Sequence, residues 1–453
     1  MMISLSISIL KKLFKMHQVD TLISAPYIIP VIPKGKILHE HSIAVSKNLI
    51  TDILPTSVAK KKYNYINSFD SKDHVVIPGL INAHTHAAMS LLRGFASDMP
   101  LEKWLNEHIW PAEKKWVSEE FVKDGVELAI GEMLRTGVTC FNDMYFFPEV
   151  TAHVASKIGM RACVGMIVME FPSSYAKNSD EYIAKGISMY DEYKNQGLIT
   201  PIFAPHAPYT VSDTSLEKIA TIAQELELPI HIHLHETENE IKESIEKHGC
   251  RPFERLVRIG LVSPQLICVH MTQLTQQEIK EVSEKKVKIV HCPESNMKLA
   301  SGICPVADLA AKKVNIALGT DSPASNDDHD MLSEMKTAAL LSKIVSRKPE
   351  ATTSTDVIEM ATINGAKALG LEKVIGSIEI DKSADFAAIK LSEIETLPCY
   401  DIASQIVHSA TRSQVTDVWI AGEKMLNDRK LLPLDELSLK ETAQKWKKKI
   451  KKD

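Results

Sequence analysis

The feature that most constrains the fold of this chain is a regular alternation of short apolar runs with longer amphipathic segments, from Val75 to about Leu371. The intervening segments carry helix-forming residues at helical spacing, with Ser or Thr at plausible N-caps. Strands that alternate with helices predict repeated βα units and a parallel sheet. The eight runs read as strands are HVVIPGLINAH, GVTCFNDM, MRACVGMIV, ITPIFAPHA, LPIHIHLHE, LICVHMTQL, VKIVHCPES and NIALGTDSP.

Eight parallel strands with intervening helices, in roughly 250 to 300 residues, are typical of a (β/α)8 barrel of the TIM type. A doubly wound open sheet is the alternative, but it normally carries a glycine-rich turn after an early strand, and the sequence contains no G-x-G-x-x-G. The flanking sequences differ, because they contain short β-rich runs broken by turn residues, such as SIAVSKNLITDIL before the barrel and ADFAAIKL after it. We therefore predict an α/β protein with a (β/α)8 barrel and a small discontinuous β-sandwich domain.

A chain of 453 residues exceeds the size at which a single core stops growing, roughly 300 residues. In the opening MMISLSISILKKLFKM the lysines follow the apolar run and no cleavage site appears, so we expect a dispensable extension that ends before Met16 and no signal peptide. The predicted domains are an N-terminal extension at 1–15, a small β domain at 16–74 and 375–430, the catalytic barrel at 75–374, and a C-terminal helix with a lysine-rich tail at 431–453.

Composition narrows the class of protein further. The formal net charge of -5 is small for this length and both signs are interspersed, so no nucleic-acid partner is expected. The seven cysteines stand singly with no C-x-x-C pair, which favours reduced thiols and a cytoplasmic location. No run approaches 18 apolar residues, so no membrane partner is expected either.

Candidate metal ligands stand at the ends of several predicted strands, where barrel enzymes place their catalytic groups. A single strand histidine is usually a hydrogen-bonded core residue, but ligand-type side chains at this many strand ends indicate a metal site. They are His84 and His86 on strand one, His206 on strand four, His231, His233 and His235 on strand five, His270 on strand six, His291 on strand seven and Asp321 on strand eight.

The donor types limit which metal is bound. Imidazole nitrogens with one carboxylate suit zinc, iron(II) or nickel, and zinc is the default. Strand alternation puts His231, His233 and His235 on one face, so spacing alone leaves open which of them is a ligand. Glu236 has the opposite parity and is expected at the rim, in reach of a substrate. The sequence has neither the H-E-x-x-H of helical metalloproteases nor the H-x-E with P-C-x-x-C of cytidine deaminases.

Seven further stretches carry a family resemblance over residues 16–426: PGLINAHTHAAMSLLRG, EKWLNEHIWPAE, DMYFFPE, APHAPYTVS, IHLHETENE, HCPESNMKLASG and GTDSPASNDDHDML. Together they resemble the amidohydrolase superfamily, and within it the 5-methylthioadenosine/S-adenosylhomocysteine deaminase family. The resemblance implies a distorted barrel with a small β domain, one divalent ion and hydrolytic removal of an amino group from a purine. Adenine nucleosides are the implied substrates: 5'-methylthioadenosine, adenosine or S-adenosylhomocysteine.

The resemblance also implies individual roles. The metal ligands would be His84, His86, His233 and Asp321, with Asp321 also accepting a proton from water. Glu236 would shuttle protons and His270 would be the second catalytic histidine. The substrate contacts would be Trp104, Glu113, His206 and Glu236, with Glu113 near the ribose hydroxyls and His206 near the purine. The roles of His291 and Asn296 stay open.

One departure from the family pattern concerns the substrate. Members that act on S-adenosylhomocysteine use arginines for its carboxylate, whereas strand three here offers only Arg161, near its start, and has Met166 where a basic residue would be expected. A buried carboxylate without a partner is costly. Lys177 could serve only as a flexible point charge. We therefore expect 5'-methylthioadenosine or adenosine in preference to the homocysteine conjugate.

Other functions remain as alternatives. The nearest is another aminohydrolase on the same scaffold, acting on guanine, 8-oxoguanine or a triazine, which the ribose-directed Glu113 disfavours. A binuclear cyclic-amide hydrolase would need a lysine near the end of strand four, and ITPIFAPHA has none. A barrel kept only for partner binding is disfavoured because every ligand position is filled. A homo-oligomer, dimer or tetramer, is the default expectation for assembly.

Overall fold

The computed structural model describes residues 16–451, and the predicted extension at 1–15 lies outside the described residues. Two sheets organise this part of the chain. The strands, in chain order, are β1 (His17–Ile28), β2 (Leu38–Ser46), β3 (Leu49–Pro55), β4 (Tyr63–Asp70), β5 (His74–Pro78), β6 (Leu80–Thr85), β7 (Val138–Asp143), β8 (Arg161–Val168), β9 (Ile199–Pro205), β10 (Ile230–Leu234), β11 (Leu266–His270), β12 (Lys288–His291), β13 (Ile316–Leu318), β14 (Phe386–Lys390), β15 (Val415–Ile420), β16 (Glu423–Asn427) and β17 (Lys430–Leu431).

Strands β6 to β13 form the barrel. They pair in parallel in sequence order, and a parallel bridge between Thr85 and Asp321 joins the first strand to the end of the last. The strands are buried almost throughout, as expected for a parallel sheet covered by helices. This arrangement confirms the predicted α/β barrel, and it brings the carboxyl ends of all eight strands to one face.

Helices cover the barrel and connect its strands. Several begin at an N-cap whose side chain accepts a backbone N–H, as at Ser118, Asn178 and Thr275. The α-helices are α1 (Thr56–Lys62), α2 (Leu101–Trp104), α3 (Trp110–Trp116), α4 (Glu119–Arg135), α5 (Pro148–Ile158), α6 (Ser179–Tyr193), α7 (Asp213–Glu225), α8 (Glu238–His248), α9 (Pro252–Arg258), α10 (Gln276–Glu284), α11 (Pro293–Lys298), α12 (Val306–Ala311), α13 (Met331–Ser346), α14 (Ser354–Met360), α15 (Ile363–Leu369), α16 (Ile402–His408) and α17 (Glu436–Lys451). Within residues 16–451, none of these helices is long and apolar enough to cross a membrane.

The run HVVIPGLINAH, predicted as one strand, is two strands that belong to different sheets. Strand β5 ends at Pro78 and β6 begins at Leu80, so the chain passes from one sheet to the other at Gly79. A Cβ atom at Gly79 would lie 2.0 Å from the Thr139 hydroxyl oxygen, so only glycine fits at this crossing. Apolar pattern alone could not locate the break, because both strands are buried.

The second sheet contains nine strands from both ends of the chain, β1 to β5 and β14 to β17. Side chains from its two parts, including Ile23 and Ile43 from the first and Phe386 and Trp419 from the second, share one hydrophobic cluster. The small β domain predicted from the flanking sequences is thus a single mixed sheet with an internal hydrophobic cluster. The division of the chain into domains at the predicted boundaries stays a prediction.

Arg161, at the start of β8, joins the barrel to the second sheet and stands at the opposite end of the strand from its carboxyl end. Its Nε and Nη2 atoms lie 2.9 and 3.2 Å from the two carboxylate oxygens of Asp385, and Nη2 also donates to the Ser383 hydroxyl at 2.9 Å. Both side chains of this ion pair are almost fully buried. Burial alone would lower the Arg161 pKa, but the charge and hydrogen bonds of Asp385 outweigh burial and raise it. Arg161, the arginine of strand three that could have bound a substrate carboxylate, is therefore already paired with Asp385.

Substitution of Arg161 by Ala should destabilise the protein strongly. Removing one partner of a buried ion pair leaves an uncompensated charge and costs about 3–5 kcal/mol. The free energy of unfolding measured in urea checks this. The control is Arg258→Ala, because Arg258 pairs with Glu254 through side chains that are more than half exposed, and such exposed pairs contribute little to stability. Equal losses of unfolding free energy in the two variants would contradict the stabilising role of the buried Arg161–Asp385 ion pair.

Candidate metal centre and active site

Four side chains meet at the carboxyl ends of the barrel strands. His84 on β6, His86 just after it, His233 on β10 and Asp321 after β13 each offer one ligand atom, and these atoms lie within 4.8 Å of one another. The Asp321 Oδ1 atom lies 3.2 Å from His84 Nε2 and 3.3 Å from His86 Nε2, and the Nε2 atoms of His84 and His233 are 3.1 Å apart. Three of the eight candidate histidines thus converge with the strand-eight acid.

These distances and donors fit a divalent metal. Zinc takes imidazole and carboxylate ligands at about 2.1 Å in tetrahedral geometry, which separates the ligand atoms by about 3.4 Å. The three measured separations approach that value. Glu236, although nearby, is not a member of the group.

In each of the three histidines, the Nδ1 atom, which faces away from the cluster, contacts another residue. The Nδ1 atom of His86 donates to the Met144 carbonyl at 2.6 Å, and that of His233 donates to the His206 carbonyl at 2.8 Å. A carbonyl only accepts, so each Nδ1 carries the proton and each Nε2 presents a lone pair to the centre. The Nδ1 atom of His84 lies 2.9 Å from Nε2 of His231, which therefore supports a ligand.

Burial sets the protonation states that metal binding requires. It lowers the pKa of His84 to about 4 and that of His233 well below its ordinary value, so both imidazoles are neutral. Burial alone would raise the pKa of Asp321, but hydrogen bonds to His84 and His86 hold it well below the ordinary range. His86 differs, because its bonds to Asp321 and to the Met144 carbonyl outweigh burial and raise its pKa.

A pocket opens above this cluster, and its lining combines apolar side chains with the cluster residues His86, His233 and Asp321. Glu236 and His270 both line it, with His270 Nε2 at 3.6 Å from Glu236 Oε2. Burial raises the pKa of Glu236. His270 and Asp321 both have left-handed backbone, with φ of 74° and 62°, a strained geometry that concentrates at functional sites.

The three residues expected at the nucleoside also line this pocket. Trp104 lines the pocket. Its indole N–H also donates to the Ala96 carbonyl at 3.2 Å, which fixes the short helix α2 against the preceding loop. The His206 ring contacts the Thr210 hydroxyl at 2.9 Å through Nδ1. Glu113 accepts a 2.8 Å hydrogen bond from the Tyr145 hydroxyl, and burial raises the Glu113 pKa to about 7. All three assignments stay predictions.

Two supporting contacts, made by Tyr145 and by His231, are not predicted from the sequence. Tyr145 stands within the quoted motif DMYFFPE, but nothing in its spacing indicates a bond to Glu113, 32 residues earlier. His231 was recognised as a possible ligand, whereas in the structure it contacts the far side of the His84 ring. Both contacts depend on how separate strands and helices pack, which spacing does not encode.

A (β/α)8 barrel with three imidazoles and an aspartate at its strand ends defines a metal-dependent hydrolase. The chain belongs to the amidohydrolase family, whose model matches residues 75–425, and this confirms the family predicted from the motifs.

Among its relatives, the chain is 45% identical to the 5-methylthioadenosine/S-adenosylhomocysteine deaminase of Teredinibacter turnerae, with 95% of this chain and 98% of that protein covered. It is 38% identical to the 5'-deoxyadenosine deaminase of Methanobrevibacter smithii, over 83% and 86% of the two chains. A solved adenosine deaminase from Xanthomonas campestris, with bound zinc, superposes with a TM-score of 0.96 at 45% identity, covering 97% and 100%.

Proposed function

We propose that this protein is a zinc-dependent aminohydrolase that deaminates adenine nucleosides, foremost 5'-methylthioadenosine, to give 5'-methylthioinosine and ammonia. The observation that carries the proposal is the position of Glu236, which lines the same pocket as His86, His233 and Asp321 of the metal-ligand cluster. The names of the Teredinibacter and Methanobrevibacter relatives support adenine nucleosides as the substrate class.

The chain's own residues can carry each proton transfer of this reaction. His84, His86, His233 and Asp321 would hold a zinc ion, which would lower the pKa of the attacking water to about 7. Asp321 accepts the proton that this water loses. Glu236, whose pKa is raised by burial, gives a proton to the ring nitrogen beside the reacting carbon. It then takes up the proton of the new hydroxyl group on that carbon and gives it to the amine as the carbon–nitrogen bond breaks. The proton held by Asp321 finally restores Glu236 to its protonated form. His270 accepts a hydrogen bond from the attacking water through Nε2, because its ring proton is on Nδ1 and is donated to Asn296.

The lining of the pocket favours an apolar group at the 5' position. Phe146, Ile167 and Met169 all contribute to it, and none of the described lining residues is Lys or Arg. Arg161 is paired with Asp385, and Met166 is buried against Gly186. The carboxylate of S-adenosylhomocysteine would therefore enter without a bidentate partner, while a methylthio group would be buried favourably.

A substrate panel tests this proposal. Ammonia release should be fastest with 5'-methylthioadenosine, with kcat/KM about tenfold or more above that for S-adenosylhomocysteine, because an unpaired charge costs more than 1.4 kcal/mol. Adenosine should be accepted, whereas guanine and cytosine serve as free-base controls. Activity with free bases alone would contradict the nucleoside assignment.

Further features belong to the same proposal. One zinc ion per chain, a homo-oligomeric assembly and a cytoplasmic location are expectations from the sequence, and each is open to direct measurement. The zinc in the Xanthomonas structure supports the choice of metal.

A further inference from the structure

The segment that follows β12 contacts three of the groups that the proposed reaction uses. Three of its side chains, which we call the positioning trio, are Ser295, Asn296 and Ser301. They are 0%, 1% and 6% exposed. None of them lines the substrate pocket, so any effect on the reaction must pass through the groups they touch.

Ser295 holds the carboxylate of Asp321. Its hydroxyl donates to Asp321 Oδ2 at 2.6 Å, and Ser325 adds a second hydroxyl at 3.3 Å from the same oxygen. The other oxygen, Oδ1, faces His84 and His86. The two serines thus fix the carboxylate so that one oxygen points to the cluster.

Asn296 holds the ring of His270. The amide oxygen of Asn296 lies 2.9 Å from His270 Nδ1, and because an amide oxygen only accepts, Nδ1 is the donor. The opposite nitrogen, Nε2, then faces the pocket and lies 3.6 Å from Glu236. Loss of this contact would free the ring to rotate and exchange tautomers.

Ser301 reaches the third group. Its hydroxyl donates to Glu236 Oε1 at 3.4 Å, and its backbone N–H donates to the Asn296 carbonyl at 2.9 Å. The second bond joins Ser301 to Asn296, which is next to Ser295 in the chain, so the three residues are linked through backbone contacts.

We propose that Ser295, Asn296 and Ser301 form a single positioning element that sets the relative orientation of Asp321, His270 and Glu236. This proposal rests on the proposed function for the roles of those three groups. Its members are positioning residues, and removal of an orienting partner of this kind lowers activity or metal affinity about 10- to 100-fold.

A double-mutant cycle tests the role of Asn296. Asn296→Leu should lower kcat for 5'-methylthioadenosine about 10- to 100-fold, with KM changed less than about threefold and metal content unchanged. In a His270→Ala background the same substitution should change kcat less than about threefold, because its target is gone. Asn296→Asp, which keeps an acceptor oxygen, should recover at least part of the loss.

Met297→Ala is the matched control, because Met297 is on the same helix, next to Asn296, and is 55% exposed. It should leave kcat unchanged. Equal losses from Asn296→Leu in both backgrounds, or no more loss than Met297→Ala causes, would overturn the proposal. If Asn296→Leu does not fold, Ser301→Ala, which removes only a hydroxyl, should lower kcat at unchanged metal content, and a native rate would overturn the proposal.

Ser295→Ala separates this proposal from the proposed function. Its zinc dissociation constant, measured by competition with a chelator, should rise about 10- to 100-fold whatever the substrate is. If the native protein deaminates no adenine nucleoside but Ser295→Ala weakens zinc binding, the proposed function is wrong. The claim that Ser295 orients the Asp321 carboxylate would still be supported. Native zinc affinity in Ser295→Ala would overturn the hold on Asp321.

Discussion

Replacing Glu236 by Gln should lower kcat about 10³- to 10⁴-fold while leaving the metal in place. Glutamine keeps the size of the side chain but cannot take up and release a proton, and general acid–base catalysis contributes factors of about 10² to 10⁴. The loss should lie toward the upper end, because the proposed reaction uses this carboxyl group for two transfers. Steady-state ammonia release and metal analysis of the same sample measure both effects.

The matched control for this variant is Glu238→Gln. Glu238 is on α8, two residues further along, and its side chain is 77% exposed in a pair with Lys242. It should keep native kcat and native metal content. A near-native rate in Glu236→Gln would remove Glu236 from the mechanism, and loss of metal there would mean that Glu236 belongs to the ligand set.

The barrel and the convergence of its candidate ligands could be predicted from the sequence, because parallel strands all end on the same face of a barrel. Once eight parallel strands are placed in order, their carboxyl ends must share one face, and His84, His86 and Asp321 stand at those ends. The exact strand boundaries were less predictable. The sequences of β5 and β6 form one apolar run. The break between them is at Gly79, where the chain passes close to Thr139, a contact that the sequence does not reveal.

The choice among the three histidines of strand five shows why spacing was insufficient. Alternation places His231, His233 and His235 on one face only while the strand continues, and β10 ends at Leu234. His235 has left-handed backbone, with φ of 54°, and its Nε2 accepts from the Phe253 N–H at 3.1 Å, away from the cluster. His231 is one layer deeper and contacts His84. Only His233 has its Nε2 beside that of His84.

The contacts of the positioning trio were equally inaccessible to sequence reasoning. The motif HCPESNMKLASG marked the region, and the role of Asn296 was left open. Its contact with His270 spans 26 residues, and that of Ser301 with Glu236 spans 65. Such contacts depend on how α11 packs across the strand ends, which no local pattern encodes.

The second large effect concerns the metal itself. His233→Ala should lose the ion and, with it, nearly all activity, because three ligands in a buried site cannot replace the missing imidazole. His235→Ala is the control, since it removes the same side chain from the same segment without touching the cluster. It should retain the ion even if the protein becomes less stable.

Metal content per chain, measured by mass spectrometry of the elements on the three proteins after dialysis, is the direct test. The account predicts close to one divalent ion in the native protein and in His235→Ala, and far less in His233→Ala. A native protein that holds no stoichiometric ion, or an ion that survives in His233→Ala and disappears in His235→Ala, would contradict the assignment of His84, His86, His233 and Asp321 as the metal centre.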